Sequence, residues 1–254
     1  MTAYSDYDPF AWIYNQHWGT SFLPVIMPVL ENMVLRKLPR HARILDLCCG
    51  TGQLAAQLVS MGYKVTGVDG SPQMLAYARE NTPGVDFVQA DARTFTLPVK
   101  YNAVISAFDS LNHIMKLSEL QQVFVRVYET LKPGGIFLFD LNADEGFKQE
   151  WQGEFNIIED DHVCIVTQTY NEVARIAKYE VTIFRLRDGS WYRTDLNLLQ
   201  KNHAPARVKA ALQKTGFENI EMSGFDWQAG LKPLAGDARR IFYMCRKPKS
   251  LDLV

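Results

Sequence analysis

This chain of 254 residues lacks the features that mark membrane proteins and secreted scaffolds. Its uninterrupted apolar runs are much shorter than the roughly 20 residues that a bilayer-spanning helix needs. Four cysteines occur, but their spacing is typical of neither a zinc site nor a disulfide framework. The first eight residues have neither the basic start nor the apolar core of a secretory signal. We therefore expect a reduced, cytoplasmic protein with no membrane partner.

An excess of charge of either sign is also missing. The chain has 27 lysines and arginines against 28 aspartates and glutamates, for a formal net charge of −1. No global field therefore favours nucleic acid as a partner, and a small molecule becomes the expectation. The length suits one α/β domain with an elaboration, or two small domains.

The middle of the chain alternates between strand and helix patterns, which predicts a parallel sheet. Strands are expected near residues 44–47, 64–69, 85–89, 101–107 and 136–140. Ser71-Pro72 predicts one helix start, and the capping-box pattern from Ser118 to Gln121 predicts another. With further strands at 217–222 and 241–246, the fold class is α/β. We expect a doubly wound Rossmann-like sheet of seven strands whose last strand is antiparallel.

Residues 151–200 break this alternation and predict an antiparallel β insertion after strand five. Two long alternating segments and the turn pair Asp188-Gly189 are typical of hairpins. The pattern leaves open whether the insertion forms a wall of the ligand pocket, the interface of a homodimer, or both.

The first strand ends in an acidic residue followed by a glycine turn, Asp46 to Gly52. Such a turn lets the backbone approach a nucleotide-like ligand closely at a helix N-terminus. The spacing Gly50-x-Gly52-x-x-Ala55 alone also fits a nicotinamide cofactor, so a dehydrogenase is one alternative.

The segments that follow the turn resemble class I S-adenosylmethionine-dependent methyltransferases. Asp46-x-Cys48-x-Gly50-x-Gly52 is similar to the acid-glycine turn of that family, with Cys48 in place of the usual first glycine. Further similarities, in the family's order, are Asp69, Asp91-Ala92 and the segment 131–135. The resemblance covers residues 40–145 well and 200–247 loosely. It implies a helical lid at 1–40 and a donor-binding domain at 41–150 and 201–254, with the insertion between them.

The resemblance also implies roles for individual residues. Asp69 would bind the ribose hydroxyls, Asp91 the adenine amino group, and Asp46 would lie near the ammonium end of the donor. Met74 would contact the adenine face. The full expected donor set, for S-adenosylmethionine or its product S-adenosylhomocysteine, is Tyr14, Asp46, Cys48, Gly50, Gly52, Asp69, Gly70, Met74, Asp91, Ala92 and Ala107.

The loop after strand four carries the expected chemistry. It lacks the Asn/Asp-Pro-Pro-aromatic signature of family members that methylate nucleic-acid bases. Together with the N-terminal aromatic pattern at 7–14 and the insertion, it resembles small-molecule members, including amino-sugar N-methyltransferases. His113 is the candidate base and Asp109 its rival. The expected acceptor-binding residues are Tyr7, Trp18, Phe108 and His113.

The sequence thus predicts methyl transfer to oxygen or nitrogen of a small molecule, with alternatives. An RNA or protein methyltransferase would need a basic rim, and a donor-binding module would need no acceptor pocket. His113 could instead be a structural histidine, and the N-terminal aromatic residues could simply pack on the core. Oxygen ligands at Asp109, Asp140 and Asn142 could hold Mg²⁺, but we expect no metal because their spacing does not match the metal-dependent subgroup.

Overall fold

The structure is a computed structural model that describes residues 3–249, with side chains from residue 7 onward. The ends of the expected lid and donor-binding domain, residues 1–2 and 250–254, lie outside the described residues. The α-helices are α1 (Ala11–His17), α2 (Leu23–Met33), α3 (Gln53–Ser60), α4 (Pro72–Asn81), α5 (Leu117–Thr130), α6 (Asp144–Glu150) and α7 (Pro205–Thr215). Short 3₁₀ helices cover Ala3–Phe10, Leu35–Lys37 and Ser110–His113.

The strands form two separate sheets. They are β1 (Arg43–Leu47), β2 (Lys64–Asp69), β3 (Asp86–Gln89), β4 (Tyr101–Ser106), β5 (Leu131–Asn142), β6 (Gly153–Glu159), β7 (His162–Asn171), β8 (Ile176–Arg187), β9 (Ser190–Lys201), β10 (Glu218–Asp226), β11 (Gly230–Pro233) and β12 (Arg240–Arg246). The larger sheet has the order β11-β10-β12-β5-β4-β1-β2-β3, and the smaller has the order β6-β7-β8-β9.

The larger sheet is the expected mostly parallel sheet. Strands β1 to β5 pair in parallel, whereas β12 pairs antiparallel with both β5 and β10. The order reverses between β1 and β4, so this is a doubly wound sheet with a switch point there. Apolar clusters on both faces, one including α5 and α7 and the other α2, bury the strands from both sides.

Two details of the prediction are wrong. The sheet in the described part of the chain has eight strands, because Asp226 accepts hydrogen bonds from Gln228 N and Ala229 N, both 2.9 Å, and turns the chain into the extra edge strand β11. The expected capping box also fails. Helix α5 begins at Leu117 after Lys116, which makes no side-chain cap, so Ser118 lies within the first turn and is not the N-cap.

The smaller sheet confirms the expected antiparallel insertion. Its turn residues Asp188 and Gly189 have φ of 48° and 75°, the left-handed pair that a tight hairpin requires. Its inner face packs on the N-terminal segment, where Phe10 and Ile13 join Cys164 and Val181 in one buried cluster. The boundaries of the three expected segments stay predictions. No described helix has the length and apolar character to cross a bilayer.

Candidate active site

A cavity of about 710 Å³ opens at the carboxyl edge of the parallel strands, beside the switch point of the sheet. Its size lies within the range of small-molecule sites, ~300–1,000 Å³. The predicted site residues that line it are Tyr7, Tyr14, Trp18, Cys48, Gly50, Asp69, Met74, Phe108, Asp109 and His113. Those that do not line it are Asp46, Gly52, Gly70, Asp91, Ala92 and Ala107. One cavity therefore unites residues expected for both the donor and the acceptor.

The glycine turn and Asp69 form one hydrogen-bonded unit. Gly50 N and Ser71 N each donate to the Asp69 carboxylate at 2.9 Å, which aims it along the turn. Burial raises the pKa of this carboxyl. Gly50 has a φ of 53°, and a Cβ there would lie 3.6 Å from the Tyr14 ring. The positive φ favours glycine, and the missing side chain leaves more room between the turn and the Tyr14 ring.

Cys48 takes the left-handed conformation that a glycine would adopt easily, with a φ of 61°. It is half-buried, packs partly against the main core and also borders the cavity. The departure from the family pattern is therefore accommodated, at the conformational cost that a side chain pays in this region.

Asp46 lies behind the turn rather than in the cavity wall. It is 2% exposed, and its Oδ2 atom has no hydrogen-bond partner among the described residues. Burial, followed by the charge of Asp69, raises its pKa to about 7. An uncompensated buried carboxyl at this position suits a nearby cationic group, which would favour its charged form.

At the expected adenine position, Asp91 is bound to a neighbouring arginine, and its contact with adenine stays a prediction. The Asp91 carboxylate binds the Arg93 guanidinium, with Nε 3.0 Å from Oδ1 and Nη2 2.5 Å from Oδ2. Arg93, which sequence reasoning missed, lines the cavity in its place, while Ala92 is buried. Gly52, expected to leave room for the donor, instead packs α3 against α4, since a Cβ there would lie 3.0 Å from Ala78 Cβ.

Gly70 and Ala107 act through their carbonyl groups. Gly70 O accepts from Gln89 Nε2 at 3.4 Å, and Ala107 O accepts from Ser110 Oγ at 2.9 Å. Both residues therefore shape the turns around the cavity from behind its wall.

The loop after β4, residues 107–113, is conformationally strained. Phe108 and Asp109 are adjacent non-glycine residues with φ of 63° and 49°. Each such residue costs about 1–3 kcal/mol, and such strain is concentrated at functional sites. Asp109 N donates to Asp140 Oδ2 at 3.0 Å, and Phe22 stacks on Phe108 with ring centroids 4.5 Å apart.

His113 is held in one tautomer. Its Nδ1 lies 2.7 Å from the Leu199 carbonyl oxygen, which can only accept, so Nδ1 carries the proton. The Nε2 atom keeps its lone pair and accepts from Tyr7 Oη at 2.5 Å. Burial lowers the pKa of His113, and burial followed by the charge of Asp109 raises that of Tyr7. The pair is thus a neutral imidazole with a neutral phenol.

Residues 44–135 match the family model described as "Methyltransferase domain". A glycine/sarcosine N-methyltransferase of Aphanothece halophytica is 28% identical over 203 residues, covering 75% of this chain and 72% of the relative. An S-adenosylmethionine-dependent methyltransferase structure from Clostridium acetobutylicum superposes with a TM-score of 0.78 at 22% identity, covering 95% and 99% of the two chains. The chain carries a methyltransferase domain. A SAM-bound amino pentose methyltransferase of Micromonospora echinaspora has a TM-score of 0.72 at 23% identity, covering 94% of this chain and 97% of that one.

The methyltransferase domain match supports S-adenosylmethionine as the donor, and the dehydrogenase alternative is not favoured. Three observations fit that donor. Gly50 provides a cradle that a Cβ would narrow, Asp46 has an orphaned buried oxygen near the turn, and the Asp69 carboxylate lies in the cavity wall.

Behind its cavity, the methyltransferase has a buried polar network. Arg240 of β12 is 5% exposed and pairs with Asp140 and, at 2.8 Å, with Asp109 Oδ1. Gln200 of β9 donates to Asp109 Oδ2 at 2.5 Å and accepts from Asn142 Nδ2 at 3.1 Å. Both oxygens of Asp109 and one oxygen of Asp140 therefore accept from side-chain donors of the protein.

Sequence reasoning missed Arg240 and Gln200. Neither lies in a motif, and each is brought to the β4 loop from a distant strand. The available signal was weak, since Arg240 directly precedes a predicted strand and Gln200 ends the predicted insertion, and other polar residues occupy similar positions.

Proposed function

We propose that this protein transfers the methyl group of S-adenosylmethionine to the nitrogen of a small-molecule amine. The observation that carries the proposal is the Tyr7–His113 hydrogen bond, with His113 fixed in one tautomer, inside an acidic and aromatic cavity next to the glycine turn. When bound, the donor supplies a methyl group activated by a sulfonium charge.

The donor would occupy the side of the cavity formed by β1 and β2. Asp69 would accept from the two ribose hydroxyls, since a carboxylate offers paired acceptor oxygens. Gly50 gives close backbone access, Met74 packs against the base, and Asp46 stabilises the positive end of the donor through the turn. Arg93 is the added contact, bordering the cavity where it holds Asp91.

The acceptor would occupy the side lined by the β4 loop and β9. Carboxylates outnumber guanidinium groups among the lining residues, which are Asp69, Asp109, Glu119 and Glu150 against Arg93 and Arg240. The faces of Trp18, Trp151 and Tyr179 also border the cavity. Acidic groups with aromatic faces favour a cation, by about 0.5–2 kcal/mol for each well-placed ring. The glycine/sarcosine N-methyltransferase and the amino pentose methyltransferase to which the chain is similar support the same class of acceptor.

A protonated amine must lose a proton before its lone pair can attack. Tyr7 Oη would accept that proton while donating its own to His113 Nε2, so that the charge moves to the imidazole. The same pair would accept the proton of a hydroxyl acceptor, and the assay below therefore includes phenols. Alignment of the two ligands and exclusion of water would supply most of the rate, because effective molarities reach about 10⁵–10⁸ M.

The test is a methyl-transfer assay with S-adenosylmethionine against glycine, sarcosine, amino sugars and phenols. We expect turnover of at least one amine and none of the phenols. Turnover of phenols alone would overturn nitrogen as the acceptor atom.

A second experiment tests His113. His113→Ala should lower kcat by about 10²-fold, as expected for loss of a general base, with S-adenosylhomocysteine affinity unchanged within twofold. Calorimetry measures the affinity. A wild-type kcat in this variant would mean that the rate comes from ligand positioning and not from a base at His113. A parallel loss of affinity for S-adenosylhomocysteine would assign His113 to the donor site.

A further inference from the structure

Three consecutive residues of β9 hold three residues of the β4 loop. Leu199 O accepts from His113 Nδ1 at 2.7 Å, and Gln200 Nε2 donates to Asp109 Oδ2 at 2.5 Å. Lys201 O accepts from Asn112 Nδ2 at 2.9 Å. The smaller sheet therefore forms one side of the reaction centre, and its last strand is joined to the strained loop at each of these positions.

Gln200 is the only one of these three β9 residues that reaches the loop with its side chain. We propose that Gln200 is a positioning residue that keeps His113 as an unprotonated base and Asp109 turned away from the acceptor. The inference rests on the proposed function, in which His113 accepts the acceptor's proton.

The orientation of the Gln200 amide is determined by its neighbours. Its Oε1 accepts from Asn142 Nδ2 at 3.1 Å, so its NH₂ group must face Asp109 and His113. The reverse orientation would place a carbonyl oxygen against a carboxylate and an amide against an amide. At 3% exposure, no solvent competes for these bonds.

The NH₂ group lies between the two candidate bases. Its nitrogen is 2.5 Å from Asp109 Oδ2 and 3.3 Å from His113 Nε2. A donor directed at the imidazole lone pair favours the neutral ring, since the protonated ring would direct its own N–H at it. The same donor, together with Arg240 Nη2 on the other oxygen, holds the Asp109 carboxylate at both ends.

The charged and titratable groups around His113 come from four elements. Tyr7 belongs to the N-terminal 3₁₀ helix and Asp109 to the β4 loop, while Asp140 of β5 and Arg240 of β12 lie behind Asp109. The negative charge of Asp109 favours a protonated imidazole, and burial opposes it. The Gln200 amide, like burial, favours the neutral imidazole of His113.

Gln200→Met tests the inference, because methionine has a similar length and no donor. We expect kcat to fall by at least about tenfold. We also expect the acid limb of the kcat/KM profile, which reports loss of the neutral base, to move to higher pH. Affinity for S-adenosylhomocysteine should stay within twofold, since the amide touches no donor residue. Thr194→Val, which removes a polar group from the same face of β9 away from the loop, should leave kcat and the profile unchanged.

Gln200→Glu supplies the second variant. The introduced carboxylate faces Asp109 and should lower kcat more than methionine does. Once protonated it is nearly isosteric with glutamine and can donate, so the ratio of variant to wild-type activity should rise as pH falls. If Gln200 only filled space, the activity of Gln200→Glu relative to wild type would not rise at low pH. Wild-type kcat and pH profile in Gln200→Met would overturn the inference.

Titration of the imidazole by NMR separates this inference from the proposed function. The chain has five histidines, and His113→Gln identifies the His113 signal by its loss. The pKa of His113 should be higher in Gln200→Met than in wild type, whether or not the correct acceptor is known. An unchanged pKa would overturn the inference, even if the wild-type protein methylates amines.

Discussion

Two carboxylates near the ends of neighbouring strands, Asp69 and Asp46, have different surroundings, which suit them to different roles in the proposed donor site. Asp69 borders the cavity, and backbone N–H groups of Gly50 and Ser71 orient it. Asp46 is enclosed behind the turn, and its pKa is raised to about 7 mainly by burial. In the proposed donor site the Asp69 carboxylate would bind hydroxyl donors directly, whereas that of Asp46 would act through its charge on the group in front of the turn.

Asp69→Ala should weaken S-adenosylhomocysteine binding by about 10²-fold or more, since hydrogen bonds to a charged acceptor contribute about 1.5–3 kcal/mol each. Calorimetry measures this loss. Circular dichroism and thermal unfolding check that the turn still folds, because the variant also removes the acceptor of two backbone N–H groups. Unchanged affinity in a folded variant would remove Asp69 from the donor site.

At the scale of elements, the N-terminal helix α1 is attached to the smaller sheet by more than its apolar face. His17 Nε2 lies 2.7 Å from His162 Nε2 of β7, and His162 Nδ1 lies 2.6 Å from Asp161. Arg185 of β8 lies over the Trp12 ring at 3.7 Å. The aromatic N-terminal residues both pack on the core and border the site: Phe10 is buried in the core, and Tyr14 and Trp18 line the cavity. Protonation of both imidazoles would set two N–H groups against each other.

The free energy of unfolding should therefore fall as pH is lowered. Burial and His162 lower the pKa of His17 in the folded state, so the unfolded chain binds the proton better. The contribution of His17 to the free energy of unfolding is therefore present above the pKa of an unfolded histidine, about 6.5, and is lost as the pH falls below that value. Urea titrations measure the slope. His17→Gln, which can still donate to His162 but does not titrate, should show a shallower slope; an equal slope would contradict the role of the pair.

For the whole molecule, donor binding and folding are linked. The cavity wall combines the glycine turn, the N-terminal segment, the β4 loop and β9, so a ligand there stabilises all four at once. S-adenosylhomocysteine at 100 times its dissociation constant should add about 2.7 kcal/mol to the free energy of unfolding. A thermal shift of several degrees should follow. NADH should give no shift, and Asp69→Ala should lose the shift at the same ligand concentration.

The homodimer through the insertion stays a prediction at this scale. The smaller sheet uses its inner face against the N-terminal segment, and its outer face leaves Ile158 71% and Trp191 51% exposed. Light scattering of the purified protein measures the mass directly.

Much of this protein followed from local patterns in its sequence. Strand periodicity, the Ser71 N-cap and the Asp188-Gly189 turn depend on neighbours along the chain, and each was predicted correctly. The acids at strand ends could be located for the same reason, because parallel strands bring their carboxyl ends to one edge. The expected cap at Ser118 failed because helix α5 begins at Leu117, so that Ser118 lies inside the first turn rather than before it.

What only the tertiary structure decided is which groups face the glycine turn and in what state. The opening beside Gly50 depends on the position of the Tyr14 ring, and the tautomer of His113 depends on a carbonyl group of β9. The orientation of the Asp109 carboxylate depends on Arg240 and Gln200. These partners lie far away in sequence, and Arg240 and Gln200 belong to no motif. Residue pattern therefore determined the sheet and the donor class, whereas tautomer, charge and access are set by groups that meet only when two sheets pack together.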